Sequence, residues 1–367
     1  MCTTFTAKNT SVLLLFLFVT NLAIGQHEEA PLSAKQKEGS IKTKIKEFIG
    51  HHLQDSHSFE LFTVKGEREN EEKHIGFALP IIIYDLDKGL EVFSSERFKN
   101  KKNIAQVSGS TYKLYHGKIY KTDSNGDLEY DELHHVRNKK TIDLSITKNV
   151  FLIALVGMTL LALFINAARK YKTDLLPKGF GRFVEPIILY IRDEIAIPNI
   201  GRKHHQKYMS FLLTIFFFIW LVNLLGLTPI GINVTNNIAV TLSLALMTYL
   251  ITCFTANKNY WKHIFWMPGV PTPMKLLLAP IELLGTIIKP FSLMIRLYAN
   301  ITAGHIVIMS IIGMMFIFKN WLGSSLSFSL AFALSLLELL VAALQAYIFT
   351  MLSALYFGSA VEEHTDH

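Results

Sequence analysis

Arg296 makes the strongest demand in this sequence. It sits in Pro290-Phe291-Ser292-Leu293-Met294-Ile295-Arg296-Leu297-Tyr298-Ala299-Asn300, inside an apolar run from Leu276 to Phe318. A charge at the centre of a bilayer costs about 2.5 to 3.5 kcal/mol on insertion scales, so each one needs a reason. A buried lysine can shed its proton, whereas a guanidinium stays charged. Apolar chain on both sides makes snorkelling to the interface hard. Two roles remain: pairing with a structural acid, or serving as a fixed cation in an ion path.

Helical arithmetic gathers other polar side chains around it. At 100° per residue, Glu282 lies about 40° from Arg296 on one side and Asn300 about 40° on the other, which makes one stripe. Glu282 is nearer the basic, cytoplasmic end of the run, and His305 lies beyond Arg296, roughly on the opposite side, facing a different neighbour. In the next apolar run, Trp321 to Tyr356, Glu338 and Gln345 share a face. Two antiparallel helices would set His305 level with Glu338, and Arg296 level with Gln345. The layout predicts two polar half-paths, one past Glu338 and His305 and one past Glu282, with Arg296 where they would join. The chain has no carboxylate at the depth of Arg296 to carry a proton across. A partner must bring it.

The elements that hold these residues are apolar helices. Of 367 residues, 50% are hydrophobic and 18% charged, against about a quarter charged in soluble domains. The mean hydropathy is +0.32. Asp and Glu crowd between Glu28 and Asp143, while Tyr208 to Gly358 holds only Glu282 and Glu338. This distribution excludes disorder and a collagen-like chain, and two cysteines, Cys2 and Cys253, exclude a disulfide scaffold. The net charge of +7 comes from Lys and Arg between hydrophobic runs, as in cytoplasmic loops, and does not call for nucleic acid. Spans are predicted over 149–168, 209–228, 238–255, 276–318 and 321–356, the last two long enough to require tilt or curvature. An interfacial helix is predicted over 183–198, where Glu185, Arg192, Asp193 and Glu194 mix with apolar residues. The expected fold is an all-α polytopic membrane protein of about five transmembrane helices, with two long tilted C-terminal helices and a small mixed α/β N-terminal extracytoplasmic segment. Its membrane domain is 149–358, and 359–367 is a cytoplasmic tail.

Upstream, residues 1–25 read as a signal peptide, with an apolar core from Val12 to Val19 and the small-residue site Ala23-Ile24-Gly25. Export would place residues 26–148 outside the membrane. In that segment Lys42 to Leu53 fits an amphipathic helix, and Phe77–Tyr84 with Leu90–Phe93 fits a hairpin turning at Asp85–Gly89. A second hairpin is expected from Lys118–Tyr120 to Leu128–Tyr130, turning at Asn125-Gly126. Asp123-Ser124-Asn125-Gly126-Asp127 has its glycine two places early for a calcium loop and reads as an ordinary turn.

The run Lys289-Pro290-Phe291-Ser292-Leu293-x-x-Arg296-Leu297-x-x-Asn300-x-x-Ala303-Gly304 resembles subunit a of F-type ATP synthase. The resemblance continues through Leu344-Gln345-Ala346-Tyr347-Ile348-Phe349, Glu362-Glu363-His364, Asn223-Leu224-Leu225-Gly226-Leu227-x-Pro229 and Ile49-Gly50-His51-His52. It implies a proton-translocating, non-catalytic stator subunit of the bacterial inner membrane, without cofactor. Its partners would be the c-subunit ring, the subunit b peripheral stalk, the rest of the synthase and membrane lipid. Arg296 would face the ring, keep the half-channels from short-circuiting and displace the proton from each ring carboxylate, and Asn223 becomes a candidate lining residue. In many relatives an acid follows the glycine matching Gly304 and a histidine stands seven residues before the glutamine; here His305 and Glu338 have exchanged those roles. The acid often found in place of Gly226 is missing. The segment 56–140 has no counterpart in the resemblance.

Three other readings are weaker. A membrane di-iron enzyme would need HxxxH or HxxHH spacing, which His51-His52, His134-His135 and His204-His205 lack. A secondary transporter would show repeated halves with broken helices in matching positions. An ion-conducting stator of another membrane motor would lack the joint Arg and Gln pattern.

Overall fold

The computed structural model describes residues 55–65, 72–98, 103–115, 117–123, 125–131, 136–173, 179–228, 234–267, 271–318 and 320–362. The expected signal peptide, the helix over Lys42 to Leu53, and the His51-His52 and His134-His135 pairs lie outside the described residues.

Among the described residues, eight short strands precede the helices: β1 (Ser58–Lys65), β2 (Glu72–Ala78), β3 (Pro80–Asp85), β4 (Gly89–Ser94), β5 (Ile104–Val107), β6 (Ser110–Tyr115), β7 (Lys118–Thr122) and β8 (Ile142–Asp143). They pair antiparallel as β1-β2, β4-β3-β8 and β5-β6-β7. Period-2 alternation sends Ile81 and Ile83 of β3 inward, where they pack with Phe93, Phe98, Tyr112 and Ile119. Between β3 and β4, Gly89 takes φ +86 and the Asp87 N–H bonds back to Asp85 Oδ1 at 3.1 Å, closing the expected turn. Phe77 and Ala78 belong instead to β2, which pairs with β1.

The second expected hairpin is not formed. β7 pairs with β6, Leu114 opposite Ile119, and Tyr130 bridges to Val136. Asn125-Gly126 does turn, with Gly126 at φ +76 and its N–H on the Asp123 carbonyl. The nearer partner prevails because a short link between β6 and β7 loses little loop entropy and buries Tyr112 and Ile119.

From Lys148 the chain is helical: α1 (Lys148–Thr173), α2 (Phe180–Tyr190), a π-helical turn (Ile191–Ala196), α3 (Ile197–Ile200), α4 (His205–Gly226), α5 (Ile238–Thr255), α6 (Lys258–Phe265), α7 (Thr272–Ile317) and α8 (Trp321–Val361). Five of them, α1, α4, α5, α7 and α8, are long and apolar enough to cross a membrane. The fold is that of a polytopic membrane protein. α8 runs past Tyr356 to Val361, so the first residues of the expected tail are helical. The interfacial helix is broken into three pieces. Pro198 has no N–H for the Glu194 carbonyl, which accounts for the widened turn just before it.

The helices pack through small residues and aromatic contacts. On α4, Tyr208, Leu212, Ile215, Ile219, Val222 and Gly226 are buried at alternating steps of four and three, one helical face. Leu212 and Ile219 are fully buried on that face, and within a bilayer such contacts stabilise through close van der Waals packing and not through exclusion of water. On α8 the buried positions include Ala342, Ala346, Thr350, Ser353, Ala354 and Ala360, which let neighbouring backbones come close. Tyr208 stacks on Phe357 with ring centres 4.6 Å apart. The strand region is anchored on α1 by Phe59, which stacks on Phe77 at 4.7 Å and meets Phe151 edge-on at 5.6 Å.

Candidate functional site

The site lies along α7 and the helices around it. Pro280 and Pro290 stand inside α7, and each removes a backbone donor and lets the long helix bend. Glu282 lies two residues past the first. It is half-buried and lines a cavity of about 190 Å³ with Thr286 and Lys289 of α7, Asn259, Tyr260 and His263 of α6, and Ser359 and Glu362 at the exit of α8. Burial, with the Glu282 charge among the lesser causes, pushes the Tyr260 hydroxyl up to about 12, so it stays a donor. A narrower cleft continues inward between Thr248, Tyr249 and Thr252 of α5, Pro290 and Leu293 of α7, and Tyr356 of α8.

Arg296 follows Glu282 by fourteen residues, roughly 21 Å along the axis. Leu293, Met294 and Leu297 around it are buried against Ala346 and Phe349 of α8. Arg296 itself is half-buried and has no salt bridge among the described residues. The Tyr356 ring lies 5.5 Å from Lys289 Nζ. The cleft shares Tyr260, Thr286 and Lys289 with the Glu282 cavity and reaches Leu293, three residues before Arg296.

Beyond Arg296 a second polar group forms. Asn300 Nδ2 donates to Gln345 Oε1 at 2.9 Å. One turn farther, the Glu338 carboxylate lies against Gly304, its Oε1 3.0 Å from where a β-carbon would stand. Glu338 and the adjacent His305 are 6% and 9% exposed. A turn at Val234–Asn236 tucks between α4 and α7, where Thr235 Oγ1 donates to Asn223 Oδ1 at 3.1 Å and Thr302 Oγ1 to Asn236 Oδ1. Gln345 Nε2, Asn223 Nδ2 and Glu338 Oε2 are buried with no hydrogen-bond partner among the described residues. Each keeps capacity for one more partner.

The depth matching expected from sequence is thus met for Glu338, which touches the residue before His305. Opposite Gln345 stands Asn300, one turn past Arg296. Asn223 joins Thr235 and leaves α7 to Asn236.

The comparisons with known proteins bear on the whole of this layout. The family model described as ATP synthase A chain matches residues 150–358. The chain belongs to the ATP synthase subunit a family. ATP synthase subunit a of Myxococcus xanthus is 41% identical over 235 residues, covering 62% of this chain and 77% of that protein. That of Chloroherpeton thalassium is 41% identical over 61% of this chain and 69% of its own, and that of Chlorobium phaeobacteroides 44% over 61% and 68%. A second family model, Domain of unknown function (DUF8433), matches residues 48–144, the strand region.

In this family member all six polar residues of α7 and α8 singled out from sequence fall within the matched stretch, as does Asn223. Membership makes the chain a membrane subunit of an F-type complex. Sequence reasoning missed Thr235, Asn236 and Thr302 because short uncharged side chains carry no desolvation signal. Tyr260 and His263 lie on α6, outside the predicted spans, where a polar side chain carries no desolvation signal either. Lys289 was visible only as part of the motif.

Proposed function

We propose that the chain is the proton-translocating stator subunit of its synthase, with two half-paths kept apart by Arg296. The observation that carries this is the separation of polar groups along α7: the Glu282 cavity on one side, the Asn300, Gln345, Glu338 and His305 group on the other, and a half-buried guanidinium between them. A proton crossing between the groups must ride on a carboxylate brought by the c-subunit ring. Arg296 then favours the charged form of that carboxylate, drives its proton off, and blocks direct passage by repulsion.

The orientation follows from charge and export. Lys and Arg around α1, α4 and α6 favour the cytoplasmic side for the Glu282 cavity. The leader at 1–25 would carry residues 26–148 outside the cytoplasmic (inner) membrane of a bacterium. The exposed apolar flank of α7 and α8, with Ile281, Leu284, Ile288, Ile295, Leu337, Leu340 and Leu344, suits the ring on one side and lipid on the other. The subunit b stalk would hold the chain against rotation.

The test is purification of the tagged chain from membranes, detection of the c-ring with it, and ATP-driven quenching of a pH dye in vesicles with and without sodium. Absence of the ring, or dye quenching that requires sodium, would overturn the proton-stator reading.

A further inference from the structure

The cavity at the Glu282 end holds more titratable chemistry than Glu282. Glu362 and His263 stand in its wall on two different elements, the exit of α8 and the last turn of α6. Asn257 ties those elements together. Its backbone N–H donates to the Ala360 carbonyl at 2.8 Å, and its Nδ2 to the Val361 carbonyl at 3.1 Å. These are carbonyls that a helix end leaves without intrahelical partners. Asn257 is also the residue from which α6 starts, so one side chain and its backbone set both Glu362 and, six residues on, His263. Glu362 is exposed where Glu282 is half-buried, so the first lies at the mouth and the second behind it. The charged and titratable groups facing the space are Glu282 and Lys289 from α7, Tyr260 and His263 from α6, and Glu362 from α8. Two carboxylates against one ammonium leave the cavity attractive to protons when the imidazole is neutral.

We propose that Glu362 and His263 are the proton-exchanging pair at the mouth of this path, passing protons between solvent and Glu282, and that Asn257 is the positioning residue that holds them there. This rests on the Glu282 side being a proton path, as proposed above, and adds the groups through which it meets the solvent. The only bonds made and broken are O–H and N–H bonds. Free protons are scarce at neutral pH, so fixed groups that exchange with dissolved buffer shorten the wait for each one.

The experiment uses the complete complex in inverted vesicles, where this mouth faces the medium. ATP-driven pumping is compared at low and high concentrations of a small mobile buffer, with rates scaled to assembled complex. The paired substitution Glu362→Gln with His263→Gln should slow pumping roughly tenfold at low buffer, below the ~10²-fold of an acid–base group at a reacting centre because Glu282 still meets water. High buffer should restore it. Glu362→Asp should keep most of the rate, and Asn257→Ala should show the same buffer-dependent loss although it removes no titratable group. If the paired variant does not assemble, Glu362→Gln alone carries the test. Wild-type pumping at low buffer overturns the proposal, and so does a loss that buffer does not restore. Arg296→Ala in the same vesicles separates the two ideas: normal coupling there removes the path itself, whereas a dead Arg296→Ala beside unaffected mouth variants removes only this inference.

Discussion

Glu338 of α8 rests its carboxylate on Gly304 of α7, with Oε1 3.0 Å from the point a β-carbon would occupy. The glycine is what lets an acid on one helix reach the backbone of the next, one residue from His305. If the acid and the imidazole work as one relay, His305→Ala or Glu338→Ala should each slow proton-driven synthesis. The reciprocal swap, His305→Glu with Glu338→His, should recover much more than either half. Purely additive losses in a double-mutant cycle, with assembled complex held constant, would end the relay idea.

Arg296→Ala should abolish coupled synthesis while assembly stays largely intact, because the ring carboxylate would lose the fixed cation that drives off its proton. Passive leak should rise, and each leaked proton forfeits about 2.3 kcal/mol per 100 mV. Arg296→Lys should be poor as well, since an ammonium can deprotonate when desolvated. The check is synthesis and leak measured in vesicles with verified complex. Normal synthesis by the alanine variant would refute the role.

Gly358→Ala should damage the site from a distance. A β-carbon at Gly358 would stand 1.9 Å from the Asn199 carbonyl oxygen, which is backbone and cannot rotate away. α8 or α3 must shift, and α8 carries Glu338, Gln345 and Tyr356. The expected destabilisation is about 1 to 3 kcal/mol or more, read as a lower thermal midpoint and yield of complex. A wild-type midpoint would show that the two backbones do not meet.

The strand region should lose stability in acid through Asp143. Burial pushes this carboxyl up, but hydrogen bonds from His57 and Ser145 outweigh that and hold it at about 2, with His57 Nε2 2.8 Å from Oδ2. A carboxylate depressed by folding contributes stability above its ordinary value and loses it as pH falls through the folded one. That contribution is about 2 kcal/mol, complete above roughly pH 4 and gone below roughly pH 2. Asp143→Asn should therefore reduce amide-exchange protection of β3 and β8 at neutral pH, and the gap to wild type should close between pH 4 and pH 2. A gap that persists at pH 2 would contradict the linkage.

The sequence by itself determined the membrane class, the five apolar helices and the identity of the polar residues on α7 and α8. It could do so because apolar length is read directly from composition, and because a charge in a bilayer is too costly to be incidental. Two apolar runs on either side of the turn at Asp85–Gly89 likewise located β3 and β4, the first run starting inside β2. Tertiary structure decided which of those residues meet. Antiparallel spacing set Arg296 level with Gln345, yet Asn300, one turn on, is the residue that bonds to it, because the offset between two packed helices is fixed by which side chains interdigitate and not by residue counting along either one. The pairing of β7 with β6 turned on loop length and burial, which a local turn signal at Asn125-Gly126 does not report. The Asn257 clasp on Ala360 and Val361 joins residues more than a hundred positions apart. Only the folded chain brings the exposed carbonyls of one helix end to the start of another.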